Sequence, residues 1–147
     1  MTKLLIRSAQ MDDFVSIQSI YAIEVREHTA TFEITPPDMK EMTSRWRHIT
    51  DTGLPYLVAE LDGDVVGYAY ASSYRSRPAY SHTVEDSVYV VRDKHRQGLG
   101  RALLTELIHQ CRDLGKRQMI AIIGDSRHNA SIRLHENAGF RQVGTLE

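Results

Sequence analysis

The sequence has a single cysteine, no excess of one charge and no long apolar run. Because Cys111 stands alone among 147 residues, neither a disulfide framework nor a cysteine-based zinc site can be built. Eighteen Lys and Arg nearly balance nineteen Asp and Glu, so the charge gives no reason to expect nucleic acid. No apolar run approaches the ~20 residues that cross a bilayer. We therefore expect no metal, nucleic-acid partner or membrane span.

The chain also lacks low-complexity segments and linkers. At 147 residues it can form one domain that buries roughly two thirds of the surface of its unfolded form. The N-terminal segment "MTKLLIRSAQ" has too little apolar content for a signal peptide. We expect residues 1–147 to form a single cytoplasmic domain with a small-molecule or peptide partner.

The first half of the chain alternates strand and helix patterns, which predicts a mixed α/β (α+β) fold with helices covering a sheet. "LLIR" is typical of a first strand, and an amphipathic helix follows from Asp12 or Asp13. A second helix is predicted over "TPPDMKEMTSRWRHIT", begun by a proline pair and turning Met39, Met42 and Trp46 inward. The two strands of "YLVAELDGDVVGYAYASSY" join at an Asp-Gly pair, a strong hairpin signal.

The second half continues the alternation. A strand is predicted from Val84 to Val91, and the clearest helix runs from Leu99 to Leu114 with Gly115 as its stop. Cys111 falls on the apolar face of this helix, which indicates a buried thiol. "QMIAIIG" is typical of a buried strand, Asn129 to Asn137 of a short helix, and "FRQVGTLE" of the beginning of a last strand.

Two glycines, Gly98 and Gly100, stand at the start of the long helix, where serine or aspartate would cap better. The first turn of a helix leaves backbone N–H groups without partners and carries partial positive charge. Glycines remove the Cβ atoms that would keep an anion away from those N–H groups. The stretch "VYVVRDKHRQGLGRALL" is therefore typical of a phosphate-binding loop.

Two other phosphate-binding signatures do not fit this loop. A P-loop needs Lys-Ser or Lys-Thr after its last glycine, and Arg101 and Ala102 follow here. A dinucleotide-binding fingerprint needs Gly or Ala where the chain has Leu103. A strand-to-helix turn without a ligand is the remaining alternative.

Four stretches of the chain resemble a known family. "VYVVRDKHRQGLGRALL" resembles the coenzyme A loop of the GCN5-related N-acetyltransferases (GNATs), with His95 where that family has Gln or Arg. "NASIRLHENAGF" resembles the last conserved block of the same superfamily. "TVEDSVYV" and "SYRSRPAY" resemble the phosphinothricin and methionine sulfone or sulfoximine N-acetyltransferases in particular. The resemblance implies a mixed, mostly antiparallel central sheet flanked by about four helices.

The resemblance also implies an acetyl-CoA site. Val88, Tyr89 and Val90 are expected along the pantetheine arm, and one of their N–H groups is expected to face the thioester carbonyl, where charge grows during attack. Pyrophosphate contacts are expected from Arg96, Gln97, Gly98, Leu99, Gly100 and Arg101. Asn129 is expected to contact the cofactor, and a plain helix cap is its alternative.

The same resemblance assigns Glu85 and His135 to catalysis. Acetyl transfer needs a neutral amine, so a base must take its proton, and Glu85 matches the glutamate of the phosphinothricin-type motif. A solvated carboxylate at a strand end is the alternative. Asp86 points to the opposite face of the strand and is not expected to act with Glu85. His135 either donates a proton to the leaving thiolate, orders a water or serves the structure.

An amino-acid acceptor carries a carboxylate beside its amine, and arginine offers a fork of donors for that group. Arg75 is expected in this role and Arg77 is a second candidate, with a surface position as the alternative for either. Phe32 and Tyr74 are expected to wall the side-chain pocket. The residues do not rank phosphinothricin, methionine sulfone and methionine sulfoximine as acceptors, and an unrelated amine stays open.

The resemblance further implies a homodimer and one more strand. The family continues past "GFRQVG" into a segment with glycine and aromatic residues, whereas this sequence stops at Glu147. We expect either further residues or a partner chain to complete the sheet.

The leading hypothesis is an N-acetyltransferase that moves acetyl from acetyl-CoA to the α-amine of a small amino-acid-like substrate. A non-catalytic acyl-CoA-binding or regulatory module is the second hypothesis, because it keeps the loop and needs no base. A nucleotide-dependent phosphotransferase is the third, and the absent lysine and hydroxyl disfavour it.

Overall fold

The computed structural model describes residues 3–27, 33–75, 78–94, 98–123 and 129–145, without the side chains of Arg92 and Asn129. Five of its strands form one sheet in the order β1-β2-β3-β4-β5. They are β1 (Leu4–Ser8), β2 (Tyr56–Leu61), β3 (Asp64–Ser73), β4 (Thr83–Val90) and β5 (Gln118–Ile120). Neighbouring strands run antiparallel except β4 and β5, which are parallel. The predicted mixed, mostly antiparallel sheet is confirmed.

Four α-helices accompany the sheet in the described part of the chain. They are α1 (Phe14–Glu27), α2 (Met39–Asp51), α3 (Leu99–Asp113) and α4 (Asn129–Asn137), and short 3-10 turns lie at Met11–Asp13, Pro78–Tyr80 and Arg92–Lys94. None of the helices in these ranges is long and apolar enough to cross a membrane.

Helices α1 and α2 cover one face of the sheet through aromatic contacts. The ring of Phe14 lies 4.9 Å from that of Trp46 and 5.7 Å from that of Tyr56, measured between centroids. Further along α1, the ring of Tyr21 meets that of Tyr89 edge-on at 5.3 Å. Such pairs add about 0.5–1.5 kcal/mol each to the free energy of area burial. They hold α1 across β2, β3 and β4.

Helix α3 packs on the opposite face with the buried side chains of Leu99, Leu103 and Leu107. A Cβ atom at Gly67 of β3 would lie 3.2 Å from Cδ1 of Leu103 and 3.0 Å from the carbonyl oxygen of Tyr89. Because glycine leaves this space free, α3 approaches the sheet closely. Helix α4 lies on the same side, beside α3.

Local turn signals are confirmed where a backbone conformation requires them. Asp62 (φ 52°) and Gly63 (φ 92°) join β2 and β3. Both have positive φ, as the two central residues of a type I′ hairpin turn require. Gly115 (φ 84°) follows α3 and ends it, as predicted.

The start of α2 differs from its prediction. The helix begins at Met39, after the two prolines, because the Asp38 side chain caps it by accepting the N–H of Glu41 at 2.8 Å. Met42 is buried as predicted, whereas Met39 is 39% exposed on the first turn. Leu114, predicted as the last residue of the long helix, follows the end of α3 at Asp113 and is 51% exposed.

The C-terminal strand patterns are weaker in the structure than in the sequence. Residues 140–145 of the predicted last strand have no regular secondary structure, and Val143 is 82% exposed. In the described part of "QMIAIIG", residues 118–123, only Gln118–Ile120 pairs with the sheet. A strand needs a neighbour for its backbone groups, and apolar periodicity alone does not supply one.

Candidate functional site

The sheet opens between β4 and β5 at Glu85. The registered pairs of these two strands are Thr83 with Gln118, Val84 with Met119 and Glu85 with Ile120. Strand β4 nevertheless continues to Val90 in register with β3. From Asp86 onward, one side of β4 therefore has no strand beside it among the described residues. We call this gap, along β4 from Asp86 to Val90, the β4 cleft.

Val88 turns its peptide groups toward the β4 cleft. Backbone N–H and C=O groups alternate in direction along a strand. The N–H of Val91 donates to the carbonyl of Val66 in β3 at 2.8 Å. Tyr89, two residues earlier, therefore also faces β3, and its carbonyl oxygen lies beside Gly67. It follows that Val88 points away from β3, where an extended ligand can pair as an added strand.

The three strand residues predicted along the cofactor thus divide into two kinds. Val88 and Val90 share one backbone direction, with side chains on the α3 side of the sheet. Tyr89 turns its backbone to β3 and packs its ring 5.3 Å from that of Tyr21 and 5.1 Å from that of Tyr68. Burial raises the pKa of Tyr89 well above its ordinary value, so the hydroxyl stays protonated.

The N-terminus of α3 fits an anion. Gly98 is the cap residue, has a left-handed backbone (φ 77°) and gives the helix no side-chain cap. The N–H of Ala102 donates to the Gly98 carbonyl at 3.0 Å, so the preceding N–H groups lie outside the helical ladder. A Cβ atom at Gly98 would meet no described atom within 4 Å. These N–H groups and the helix dipole together favour a phosphate.

Gly100 has a packing reason that the sequence analysis missed. A Cβ atom there would lie 3.3 Å from Cδ2 of Leu134 in α4. The absent side chain therefore lets α4 approach α3. The structure thus gives each glycine a second role, a backbone conformation at Gly98 and a helix contact at Gly100, and their clearing of a path for an anion stays a prediction.

The other predicted cofactor residues differ in what they can offer. The Leu99 side chain is 2% exposed and belongs to the core, so only its backbone is available. Arg101 is exposed on the first turn of α3, and Asn129 is the first residue of α4. Arg96 and Gln97 lie outside the described residues.

Glu85 lies at the closed end of the β4 cleft, where pairing with β5 ends. It is half-buried and sits opposite Ser72 of β3. Burial raises the pKa of the Glu85 carboxyl, and the negative charge of Asp86 raises it further. A glutamate with a raised pKa is a stronger base near neutral pH. The position suits a proton acceptor.

Asp86 and His135 form a buried pair on the other side of the sheet. The Nε2 atom of His135 lies 2.7 Å from Oδ2 of Asp86, and Nδ1 lies 2.8 Å from the carbonyl oxygen of Ser131. Burial lowers the pKa of His135, but the hydrogen bond and charge of Asp86, with the Ser131 carbonyl, outweigh it, so the pKa is raised. Both ring nitrogens are engaged within the protein. This geometry favours the structural alternative for His135, and its role as a proton donor stays a prediction.

Arg75 and Tyr74 lie at the same end of β4 as Glu85. The N–H of Tyr74 donates to the carbonyl of Thr83 at 3.4 Å. The guanidinium carbon of Arg75 lies 5.0 Å from the centroid of the Tyr74 ring, which meets the ring of Tyr80 edge-on at 5.7 Å. Stacking orients an exposed arginine that is otherwise mobile. Phe32 and Arg77 lie outside the described residues.

A polar network on the α1 side was not predicted. The hydroxyl of Tyr21 donates to Oε1 of Glu33 at 2.6 Å, and Arg45 donates to both oxygens of Glu33 at 2.6 and 3.2 Å. The Arg45 hydrogen bond lowers the pKa of Glu33, although burial opposes it. The alternation of Tyr68 and Tyr70 with alanines places those rings on this face, but no local pattern marks the pairing of Glu33 with Arg45.

Two kinds of chemistry find no site in the described ranges. No group of three or more His, Cys, Asp or Glu side chains there is arranged to hold a metal ion. Burial raises the pKa of the Cys111 thiol to about 11, so it stays protonated near neutral pH and is a poor nucleophile.

Comparison with known proteins gives a consistent result. Residues 17–140 match the Acetyltransferase (GNAT) family. The chain is 51% identical over 142 residues to a phosphinothricin N-acetyltransferase of Alcaligenes faecalis, covering 97% of this chain and 72% of that protein. It is 38% identical to an L-methionine sulfoximine/L-methionine sulfone acetyltransferase of Salmonella typhimurium, covering 92% and 78%. The crystal structure of a GNAT superfamily phosphinothricin acetyltransferase from Sinorhizobium meliloti in complex with AcCoA superposes with a TM-score of 0.93 at 46% identity, covering 96% and 76%.

Proposed function

The chain belongs to the GNAT acetyltransferase family, and we propose that acetyl transfer takes place in the β4 cleft with Glu85 as the base. The protein is an acetyl-CoA-dependent N-acetyltransferase of small amino-acid-like substrates. One observation carries the proposed site: pairing of β5 with β4 ends at Glu85, so a half-buried carboxylate lies at the start of the open stretch of β4 that includes Val88.

The residues of the cleft fit acetyl-CoA. The open side of β4 offers backbone groups at Val88 that match the amides of a pantetheine arm. The uncapped N-terminus of α3 at Gly98 offers N–H groups for the pyrophosphate, and Arg101 adds a cation on the same turn. When bound, acetyl-CoA supplies an acetyl group activated as a thioester.

Glu85 prepares the amine for attack. Most free amines are protonated at neutral pH and have no electron pair to offer. The Glu85 carboxylate accepts the ammonium proton, directly or through a water, and leaves a neutral nitrogen. The N–H of Val88 donates toward negative charge that develops on an acyl oxygen in the cleft, an interaction that strengthens in the transition state. His135 takes no part in proton transfer, since both its nitrogens are occupied.

Arg75 selects an acceptor with a carboxylate next to its amine. Its guanidinium is held over the Tyr74 ring at the Glu85 end of β4. A planar fork of donors binds a carboxylate with two parallel hydrogen bonds. The relatives named for phosphinothricin, L-methionine sulfoximine and L-methionine sulfone support these three compounds as acceptors.

The test is a panel of amines incubated with acetyl-CoA and read by release of free thiol. We expect turnover with at least one of the three named amino acids and little with amines that lack a carboxylate. Glu85→Gln should lose this turnover. Its control is Glu136→Gln, which removes the same charge at an exposed site of α4. Tight binding of coenzyme A without turnover of any amine would instead favour a non-catalytic acyl-CoA-binding module.

We also propose that residues 1–147 form one domain that works in the cytoplasm as a homodimer. Light scattering tests the dimer, which is expected at about twice the monomer mass. A single monomeric peak at the concentrations used for assay would contradict it.

A further inference from the structure

The Asp86–His135 pair joins β4 to α4 at the inner end of the β4 cleft. Asp86 is the first residue of β4 beyond the last pair with β5, and His135 lies 49 positions away on α4. Their side chains are 1% and 9% exposed. The inference drawn from this pair rests on the proposed function, because it concerns how the protein keeps the acetyl-CoA site in shape.

Hydrogen positions on the His135 ring follow from its partners. The carbonyl oxygen of Ser131 can only accept, so Nδ1 carries a hydrogen. The other nitrogen, Nε2, shares a proton with Oδ2 of Asp86. The edge of the His135 ring is also packed against the Phe140 ring at 5.0 Å. No ring nitrogen is left to face a ligand.

Among the described residues, His135 is the one side chain that is hydrogen-bonded to the Asp86 carboxyl. Its second oxygen, Oδ1, is buried and has no hydrogen-bond partner in the ranges that the structure describes. A buried carboxylate normally has several donors, and one with a single donor is held by that contact. Besides His135, the Asp86 charge also acts on Cys111 of α3 and Glu85 of β4, and neither of these supplies a cation.

The pair also sets the place of α4. Leu134, the residue before His135, fills the space that Gly100 leaves on the first turn of α3. Helix α4 is therefore fixed at two points, to β4 through Asp86 and to the phosphate end of α3 through Gly100. Strand β4 and the first turn of α3 are the two parts of the protein between which the cofactor is proposed to lie.

We propose that Asp86 is a positioning residue of the acetyl-CoA site, which holds α4 against β4 through His135 and so sets the width of the cleft. Asp86 touches neither the amine nor the reacting carbonyl in this account. Its loss should weaken cofactor binding much more than it slows the chemical step, which Asp86 reaches only through the effect of its charge on Glu85.

Three variants test the proposal. Asp86→Ala removes the contact. Asp86→Asn keeps it, because the amide N–H can donate to Nε2 of a neutral ring. Asp113→Ala is the matched control, since it breaks an exposed Asp–His pair on α3, between Asp113 and His109 at 3.4 Å.

We expect Asp86→Ala to weaken calorimetric coenzyme A binding about tenfold and to raise KM for acetyl-CoA by a similar factor, with little change in kcat. Asp86→Asn and Asp113→Ala should bind nearly as the parent protein does. Unchanged coenzyme A affinity and KM in Asp86→Ala would overturn the proposal, and so would an equal loss in Asp86→Asn.

Nitrogen NMR of the His135 ring supplies a second readout that needs no turnover. The parent protein should show hydrogens on both ring nitrogens at neutral pH, and Asp86→Asn should show one, with the His135 signal assigned from a His135→Gln variant. A parent ring with an unbonded, neutral Nε2 would overturn the proposal. If Asp86→Ala does not fold, this measurement and the Asp86→Asn affinity decide. If no amine is acetylated, the proposed acceptor class fails while calorimetry and NMR still test Asp86.

Discussion

Ile120 is the last residue of β5 in register with β4, and its partner there is Glu85. The place where the sheet separates and the place of the proposed base are thus the same position. A base at the closed end of a gap between strands is next to the end of a ligand that lies along the open edge. At this position burial, and then the charge of Asp86, raise the pKa of Glu85.

The pH dependence of activity should follow the ionisation of the Glu85 carboxyl. A base works only when deprotonated, and burial with the Asp86 charge raises the pKa of Glu85 above its ordinary 4.5. We expect the ratio of kcat/KM for the parent enzyme to that for Glu85→Gln to rise with pH as this carboxyl ionises, above pH 4.5. Taking the ratio removes the titration of the amine itself. A ratio that does not change with pH would exclude Glu85 as the base.

Gly98 should be needed both for its backbone conformation and for its bare Cα atom. Gly98→Ala should lower the free energy of unfolding by about 1–2 kcal/mol, because φ is 77° there. Gly98→Asn should cost less stability, since asparagine tolerates the left-handed region. Both variants should bind coenzyme A more weakly, as each places a side chain at the proposed phosphate site. Denaturant unfolding and calorimetry measure the two effects. Full coenzyme A affinity in both variants would contradict the phosphate site.

Arg75 should govern the affinity for the acceptor carboxylate. Arg75→Lys keeps the charge but loses the two-pronged donor, so KM for the amino-acid acceptor should rise about 10-fold or more with KM for acetyl-CoA unchanged. Tyr74→Leu removes the ring beneath the guanidinium and should give a smaller rise of the same kind. Steady-state kinetics with both substrates varied measures this. An equal effect on an amine without a carboxylate would contradict the role.

Stability should depend on the pair formed by Arg7 and Asp13 at the start of α1. Arg7 donates to both oxygens of Asp13 at 2.8 and 2.9 Å, and its hydrogen bond lowers the pKa of Asp13 although burial opposes this. Because its pKa is lower in the folded state, Asp13 stabilises the fold at pH values above its ordinary pKa of 3.8. This stabilisation is lost as the pH falls through the folded-state pKa.

Asp13→Asn should therefore reduce the free energy of unfolding by about 1–3 kcal/mol at neutral pH. This difference should shrink as the medium is acidified below pH 3.8. Urea unfolding at several pH values measures it. The neighbouring exposed Asp12→Asn is the control and should change little. Equal losses in the two variants would show that the ion pair is not the cause.

Elements with strong local signals were predictable from the sequence. Helix α3 follows from its apolar periodicity and from Gly115, and the β2–β3 hairpin follows from Asp62 and Gly63. The predicted strand "FRQVGTLE" was wrong over residues 140–145, because a strand also needs a partner that periodicity cannot supply.

Contacts between residues that are far apart in the sequence could not be predicted from local sequence patterns. Asp86 and His135 are separated by 49 positions, and nothing near either residue marks the other. The same holds for Gly100, whose packing reason lies in Leu134 of another helix. The sequence did place Asp86 on the face opposite Glu85, since alternation along a strand is a local property.

The central claim is that Glu85 is the base of an acetyl-CoA-dependent N-acetyltransferase. Thiol release from acetyl-CoA, measured in a single turnover so that chemistry limits the rate, tests it most directly with phosphinothricin, L-methionine sulfoximine and L-methionine sulfone. We expect Glu85→Gln to slow this release by about 10²–10⁴-fold with unchanged calorimetric affinity for acetyl-CoA. Release by Glu85→Gln at the full rate of the parent enzyme would contradict the claim.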